Sequence, residues 1–315
     1  MKLKTTLKRL LPLLPPYVQR FLRARAALRR EQQTAARKER TQVEIADVLA
    51  RLANLRLSGD LMVHGSISNI GKFDKPVGVL VSAWIEQLDL QNQTLLVPAL
   101  PYNTTMREYL EGKPNFDVRS AKNAMGAISN IVMAIPEARR SIHPTHSVVA
   151  LGANADFYVN GHELDRTPFG PNSPYRKLTE RHGKILMFGV GLNSVTCFHV
   201  YEDMLEEFMP LSVYLGQSFD VSCIGRSGNT LSVTTTCHNP SFSAIRECER
   251  ARSALIDAGA IVSYPLGESE LSIIDAKRFT VTLLNMLASG KSIYGPVVVN
   301  AAQKKRIHEC LERLS

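Results

Sequence analysis

The stretch KILMFGVG (184–191), running on into LNSVTCFHVYEDMLEEF (192–208), decides the fold class. Ile185 to Phe188 form an unbroken apolar run of strand length, closed by the turn Gly189-Val190-Gly191. Such a run between breakers reads as a buried strand, and SVTCFHVYEDMLEEF (194–208) then reads as a helix. Upstream the theme recurs. LMVHGS (61–66) is a strand running into a turn, VGVLVSAWIEQL (77–88) an amphipathic helix, and TLLVPALP (94–101) and SVVALG (147–152) are further strands. This order predicts an α/β fold, a mixed central sheet covered by helices, with binding loops at the strand ends. Downstream, two strand-like runs between Tyr214 and Cys237 flank GRSGNT, whose Gly, Asn and Ser suit a hairpin turn, so an antiparallel hairpin insertion is expected. The tail returns to a helix over 243–258, a strand at AIVSYPL (260–266) and a helix around 275–289. Neither an internal repeat nor a low-complexity linker interrupts 42–315, which reads as one domain.

Charge is distributed unevenly along the chain. The 315 residues carry a formal +9, yet residues 1–41 alone hold twelve Lys or Arg against two Glu, and the remainder holds 26 basic against 27 acidic residues. A phosphate-binding face needs clustered cations, so nucleic acid is not an expected partner of the body. The basic character belongs to an N-terminal arm, residues 1–41. There Pro16 suits a first helical turn, and Tyr17, Val18, Phe21, Leu22 and Leu28 recur at roughly helical spacing among arginines. A basic amphipathic helix of this kind fits peripheral contact with an anionic membrane, a helix packed on the body, or a solvated tail. Pro12, Pro15 and Pro16 cut the first apolar run, which argues against a signal peptide, and no later run reaches the ~18–20 apolar residues of a spanning helix. The five cysteines (Cys197, Cys223, Cys237, Cys248, Cys310) include no CxxC pair, so neither a zinc motif nor a disulfide framework is signalled, which fits a reducing cytoplasm.

Four segments carry residues with chemistry. In VHGSISNIG (63–71) a strand bearing His64 turns through Ser66, Ser68 and Gly71. Glycine lets backbone approach a ligand, and hydroxyls with turn amides can cradle phosphate; strand-to-helix turns also use Gly and Ser for structure alone. RRSIHPTHSVVALG (139–152) sets His143, His146 and Ser147 before a strand, and with no third ligand close by, no metal site is expected. TPFGPNSPYRKL (167–178) is a Pro-Gly turn with Ser173 at a helix start. In GVGLNSVTCFHVYED (189–203), Glu202 follows His199 by three residues and Thr196 precedes it by three, which puts them on one helical face. An imidazole beside a carboxylate at the C-terminal end of a strand suits a general base, or a buried His–Glu pair with a structural duty. Cys197 points elsewhere on a helix and is read as packing.

Taken in order, these segments resemble the aminoglycoside 3-N-acetyltransferase family of antibiotic N-acetyltransferases, from about Arg51 to Gly295. VHGSISNIG is similar to the family's coenzyme A loop and TLLVPAL to the strand after it. NFDVRSAKNAMGAI (115–128) resembles its FDP…MGA stretch, SIHPTHSVVALG its HPxxS motif, and FGPNSPYRKL and GVGLNSVTCFHVYED its last two signatures. The resemblance implies an acetyl-CoA co-substrate without metal, His199 as catalytic base, Glu202 as its orienting partner and Thr196 beside them. It implies His64, Ser66, Ser68, Gly71 and Ser147 around the cofactor, and Asp117, His143 and Ser173 toward the acceptor. Two departures stand out: Val118 follows Phe116-Asp117 where the family has Pro, and the basic arm is no part of the resistance enzymes' pattern.

An amine is mostly protonated near neutral pH and must lose a proton before it attacks a thioester, a task within the intrinsic range of histidine. The expected reaction is therefore acetyl transfer to an amine of an aminoglycoside or another amino sugar. The Thr196 hydroxyl or a backbone N–H of the 63–71 turn would face the carbonyl oxygen. The arm would then place the enzyme at the inner face of the membrane. A catalytically inactive CoA-binding scaffold that docks through its arm is the reading from another class. The joint presence of His64, His199 and Glu202 speaks against it.

Overall fold

The apolar runs that read as strands lie side by side in a computed structural model that describes residues 15–315. In chain order the strands are Gln42–Val43 (β1), Leu61–Gly65 (β2), Lys72–Phe73 (β3), Thr94–Pro98 (β4), Asn115–Asp117 (β5), Arg139–Arg140 (β6), Val148–Gly152 (β7), Lys184–Phe188 (β8), Tyr214–Ile224 (β9), Thr230–His238 (β10), Ile261–Leu266 (β11), Ser269–Asp275 (β12), and the short pair Lys291–Ser292 (β13) and Gly295–Pro296 (β14). Seven of them form one mixed sheet in the order β11-β12-β8-β2-β4-β7-β6. Its centre, β8-β2-β4, is parallel, and the strands on either side pair antiparallel.

Period-two alternation sends Met62, Leu96, Ile185 and Met187 to one face and Leu61, Val63, Leu95, Leu186 and Phe188 to the other. Helices Pro174–Glu180, Val200–Leu205 and Ala276–Ala288 cover the first face, and Ile45–Asn54, Val77–Gln87 and Ala127–Met133 the second. Burial on both sides is why these strands are apolar along most of their length. His64 is two residues from Met62 and shares its face. The helix after β2 (Val77–Gln87) and the helix after β8 (Val200–Leu205) pack on opposite faces, so loops leaving these two adjacent parallel strands diverge. A crevice opens there, at the kind of switch point where α/β sheets take ligands.

The hairpin pairs β9 with β10, and β5 joins β9 in parallel to make a three-stranded sheet over its own core of Leu110, Phe116, Val221, Cys223 and Val233. A register shift between Thr236 and His238 bulges β10. Bulges re-aim side chains, here that of His238.

Three expectations change. The segment 194–208 is not one helix: a 3-10 turn Thr196–His199 precedes Val200–Leu205, and a second turn Glu206–Phe208 follows. Ser194 and the β-branched Val195 and Thr196 favour non-helical backbone, and Glu206 sits at φ 53, which ends the helix. The segment 243–258 is broken too. Helix Pro240–Ile245 stops at extended Arg246 and Glu247, and the chain resumes as a turn Cys248–Ala251 and helix Arg252–Asp257. Finally, β12 and the C-terminal helix Ala301–Arg313 were not anticipated; the latter starts with a capping box between Asn300 and Gln303.

Residues 1–14 of the arm lie outside the described residues. The rest forms the helix Pro16–Arg40, whose end is tied to the body. Arg37 Nη1 donates to Asn69 Oδ1 at 2.7 Å, while Arg40 and Thr41 reach Glu268 at 3.0 and 2.7 Å. Among the described residues no helix is long and apolar enough to cross a membrane.

Candidate active site

A cleft of about 780 Å³ occupies the switch point, lined among others by His64, Ser66, Ser68, Lys72, Lys75 and Ser194. Its 66–71 turn is held against the end of β8: Ser66 N–H donates to Phe188 O at 2.9 Å, and Asn69 Nδ2 to Gly189 O at 3.0 Å. Gly189 is at φ +71, and a Cβ there would stand 2.7 Å from Ser66 O, so the approach of turn and strand requires glycine. On the other side Lys72 N–H donates to Thr41 O at 2.8 Å, which ties the turn to the end of the arm. His64 is buried at the cleft wall. Its Nε2 is 3.5 Å from Thr196 Oγ1, and its Nδ1 has no hydrogen-bond partner among the described residues. Burial lowers its pKa to about 4, so it is neutral at pH 7.

His199 closes the turn Thr196–His199, and Glu202 lies in the first turn of the helix that follows. His199 Nδ1 is 2.7 Å from Glu202 Oε2, and the Tyr294 hydroxyl donates to Glu202 Oε1 at 2.8 Å. Arg246 Nη1 is 2.6 Å from His199 Nε2. A guanidinium only donates, so Nε2 carries the lone pair, Nδ1 carries the proton, and Oε2 of Glu202 accepts it. Burial raises the Glu202 carboxyl above its ordinary range, while the Tyr294 hydroxyl and the Arg246 charge pull it back down, and with a donor on each oxygen it serves as the acceptor of the pair. The same burial, with the Arg246 charge second, holds His199 well below its ordinary value.

Further histidines surround this relay. The His238 ring lies 4.1 Å from that of His199 and stacks on Tyr214 at 4.6 Å, with its Nε2 unpartnered among the described residues. Phe169 packs between His146 and His199, at 5.1 and 5.0 Å, and His143 stacks on His162 at 4.4 Å. His199, Glu202 and His238 bring one ligand atom each within 4.8 Å of one another, whereas the sequence had offered His143 and His146 as the nearest pair. The Arg246 guanidinium beside Nε2 opposes any cation at that place.

A family model described as aminoglycoside 3-N-acetyltransferase matches residues 62–288, most of the chain. The chain belongs to the aminoglycoside 3-N-acetyltransferase family. It is similar to aminoglycoside N(3)-acetyltransferase III of a Salmonella species, 32% identical over 175 residues, which are 51% of this chain and 60% of that protein. The match thus spans less than two-thirds of that relative's length. Among solved structures it is similar to aminoglycoside acetyltransferase AAC(3)-Xa, at TM-score 0.62 and 22% identity, over 80% of this chain and 94% of the other. It is also similar to AAC-IIIb, solved as a binary complex with CoASH, at TM-score 0.60 and 22% identity, over 79% and 97% of the two chains. These two likenesses show that the α/β fold is that of the family.

Of the residues matched to family motifs, the structure brings His64, Ser66, Ser68 and Gly71 to the cleft, and joins Thr196 to His64 and Glu202 to His199. It does not bring Ser147, Asp117, His143 or Ser173 there, and Thr196, His199 and Glu202 lie behind the residues that line it. Ser147 is fully buried, donates to Ala99 O and receives Arg140 Nε at 2.9 Å. Asp117 is clasped by Arg119 at 2.8 Å. His143 Nδ1 accepts the His146 N–H at 3.2 Å, and Ser173 caps the helix Pro174–Glu180 by accepting from Arg176 N–H at 3.1 Å. Each of these four is occupied by its own neighbourhood. Sequence reading missed Arg246 and Tyr294, which lie 47 and 92 residues from the groups they bond. It also passed over Lys72 and Lys75, for which the signal was present: two cations directly after a turn able to cradle phosphate.

Proposed function

We propose that this chain moves an acetyl group from acetyl-CoA to an amine of an aminoglycoside or other amino sugar, with His199 as the general base. The observation that carries the reading is the Glu202–His199 pair, of fixed hydrogen-bond polarity, with His199 in the turn whose first residue, Thr196, stands 3.5 Å from His64 on the wall of the switch-point cleft. The relatives' names and the CoASH complex of AAC-IIIb support it. The cleft fits coenzyme A: Lys72 and Lys75 would meet phosphates, Ser66 and Ser68 would donate to them, and His64 offers an orphaned ring nitrogen at the inner end.

When bound, the acetyl thioester supplies an electrophilic carbonyl carbon. Neutral His64 and the Thr196 hydroxyl are then the donors toward the carbonyl oxygen, since the Ser66 N–H is spent on Phe188. The acceptor amine gives a proton to Nε2 of His199 as its nitrogen bonds to the acetyl carbon, and Glu202 steadies the imidazolium through Nδ1. His199 passes that proton to the departing sulfur, leaving an amide and free coenzyme A. This sequence requires Arg246 to leave Nε2 first. A relay this complete tells against an inactive scaffold.

The catalytic unit in this reading is 42–315. The arm, with Phe21 and Leu28 exposed seven residues apart on one helical face, serves peripheral contact at the cytoplasmic face of an anionic membrane. The test of the activity is thiol release from acetyl-CoA with a panel of aminoglycosides and amino sugars, followed by product mass. An acetylated amine is expected. No thiol release with any amine, together with no calorimetric binding of acetyl-CoA, would contradict the reading.

A further inference from the structure

Resting on the proposed N-acetyl transfer, we propose that Arg246 selects an acceptor that carries an acidic group close to its amine, such as a phosphorylated amino sugar, over a polycation. The base acts through Nε2, so the acceptor amine must come within hydrogen-bond reach of that atom. The place is taken by the Arg246 guanidinium at 2.6 Å. Any acceptor that enters therefore displaces a cation and remains beside it.

The guanidinium has five N–H donors. Among the described residues the side chain hydrogen-bonds His199 and makes no ion pair within 4.0 Å of a carboxylate. The nearby carboxylates are committed elsewhere. Glu247 holds Asn193 Nδ2 at 3.1 Å, Glu249 holds Arg252 and the Leu192 N–H, and Asp203 accepts from the Tyr214 hydroxyl and the Phe169 N–H. Arg246 is half-buried, whereas His199 is buried, so the guanidinium is the more solvent-accessible of the two and keeps donors unspent, while its charge acts on His199 and Glu202. A phosphate or carboxylate on the acceptor would take up those donors as a charge-assisted pair and draw the guanidinium off Nε2 as the amine arrives.

An acidic pocket does exist, lined by Asp165, Glu202, Asp203, Glu206 and Glu207. It touches the relay at Glu202, on the Nδ1 side of the imidazole, and the two ring nitrogens point in opposed directions. A polycation held there would not present an amine to Nε2. The group at the reactive nitrogen is instead Arg246, with neutral His238 and Phe169 against the ring.

The experiment compares kcat/KM for glucosamine 6-phosphate, glucosamine and sisomicin in the full chain and in Arg246→Gln and Arg246→Lys. The parent should prefer the phosphorylated amine to glucosamine by about 10- to 100-fold, the range of a charge-assisted hydrogen bond, with sisomicin poorest. Arg246→Gln keeps a donor for Nε2 and loses the charge. It should bring the two glucosamines within about threefold, by raising KM for the phosphorylated one, while Arg246→Lys keeps most of the preference. Equal use of all three amines by the parent, or an unchanged preference in Arg246→Gln, overturns the assignment while leaving acetyl transfer intact. Failure of every amine and every variant to release thiol overturns both.

Discussion

Arg246 Nη1 stands 2.6 Å from Nε2 of His199, so the lone pair expected to receive a proton is already held by a cation from a segment 47 residues away. The contact fixes the imidazole tautomer and depresses its basicity at once. The break after Ile245, where the sequence reads as continuous helix, is what leaves Arg246 in extended backbone beside this imidazole.

The first consequence is a pH profile. Burial, and Arg246 after it, hold His199 below its ordinary 6.5, so the base form is complete at pH 7. With a weakly basic acceptor, turnover should rise only below pH 6.5 and stay flat through neutrality, where an unperturbed histidine would place its step. Arg246→Gln removes the charge and should move the rise upward. A parental step centred near pH 7 would contradict the depressed base.

The central strands are legible in the sequence because each is buried on both faces and so is apolar along most of its length. β12 is not, because SELSIID interleaves polar residues in a strand whose Ser272 and Ile274 are nonetheless buried. The spacing of His199 and Glu202 is legible because three residues suffice to pair them whether the backbone is a 3-10 turn or an α-helix. Arg246 and Tyr294 are not, since only tertiary folding brings distant segments to one imidazole. Asp117, His143, Ser147 and Ser173 show the opposite limit: polar residues in recognisable motifs whose bonds are spent on local structure.

Acid should unfold the protein early. His64, His143, His146, His162 and His199 are buried and His238 half-buried, all with lowered pKa values, about 4 for His64 and about 3 for His162. Below pH 6.5 the unfolded chain binds protons at these histidines that the folded chain does not, so their contribution is full above 6.5 and falls with pH, while the buried carboxyls of Glu202 and Asp203, raised by burial, act with the opposite sign over the same range. One pH unit below, each such imidazole costs about 1.4 kcal/mol, so the six outweigh the two carboxyls and draw on the ~5–15 kcal/mol of a typical domain. Thermal melts should show unfolding between pH 6 and 5; a melt at pH 4.5 as high as at pH 7.5 would contradict the burial of neutral imidazoles.

Tyr294→Phe deletes the hydroxyl that donates to Glu202 Oε1. A buried carboxyl oxygen is left without its donor, at a cost of about 1–3 kcal/mol in urea unfolding. A change below 0.5 kcal/mol would show that water or another donor takes its place.

The arm separates into two parts by its contacts. Removal of residues 1–30 should leave acetyl-CoA affinity unchanged and abolish flotation with anionic vesicles, because Phe21 and Leu28 go with it. Removal of residues 1–41 also strips Arg37 and Thr41 from the 66–71 turn and should weaken acetyl-CoA binding in calorimetry. Equal flotation of full and shortened chains, or equal affinity in both truncations, would contradict these roles.

The most direct measurement is single-turnover acetyl transfer by His199→Ala, with the acceptor found in the amine panel and acetyl-CoA saturating. A general base acts on the acceptor's proton in the transition state and not on the bound thioester. The account therefore predicts a rate lower by ~10²-fold or more with acetyl-CoA affinity within about threefold of the parent, and a smaller loss in Glu202→Gln. Parental turnover in His199→Ala would contradict it and pass the proton to another group.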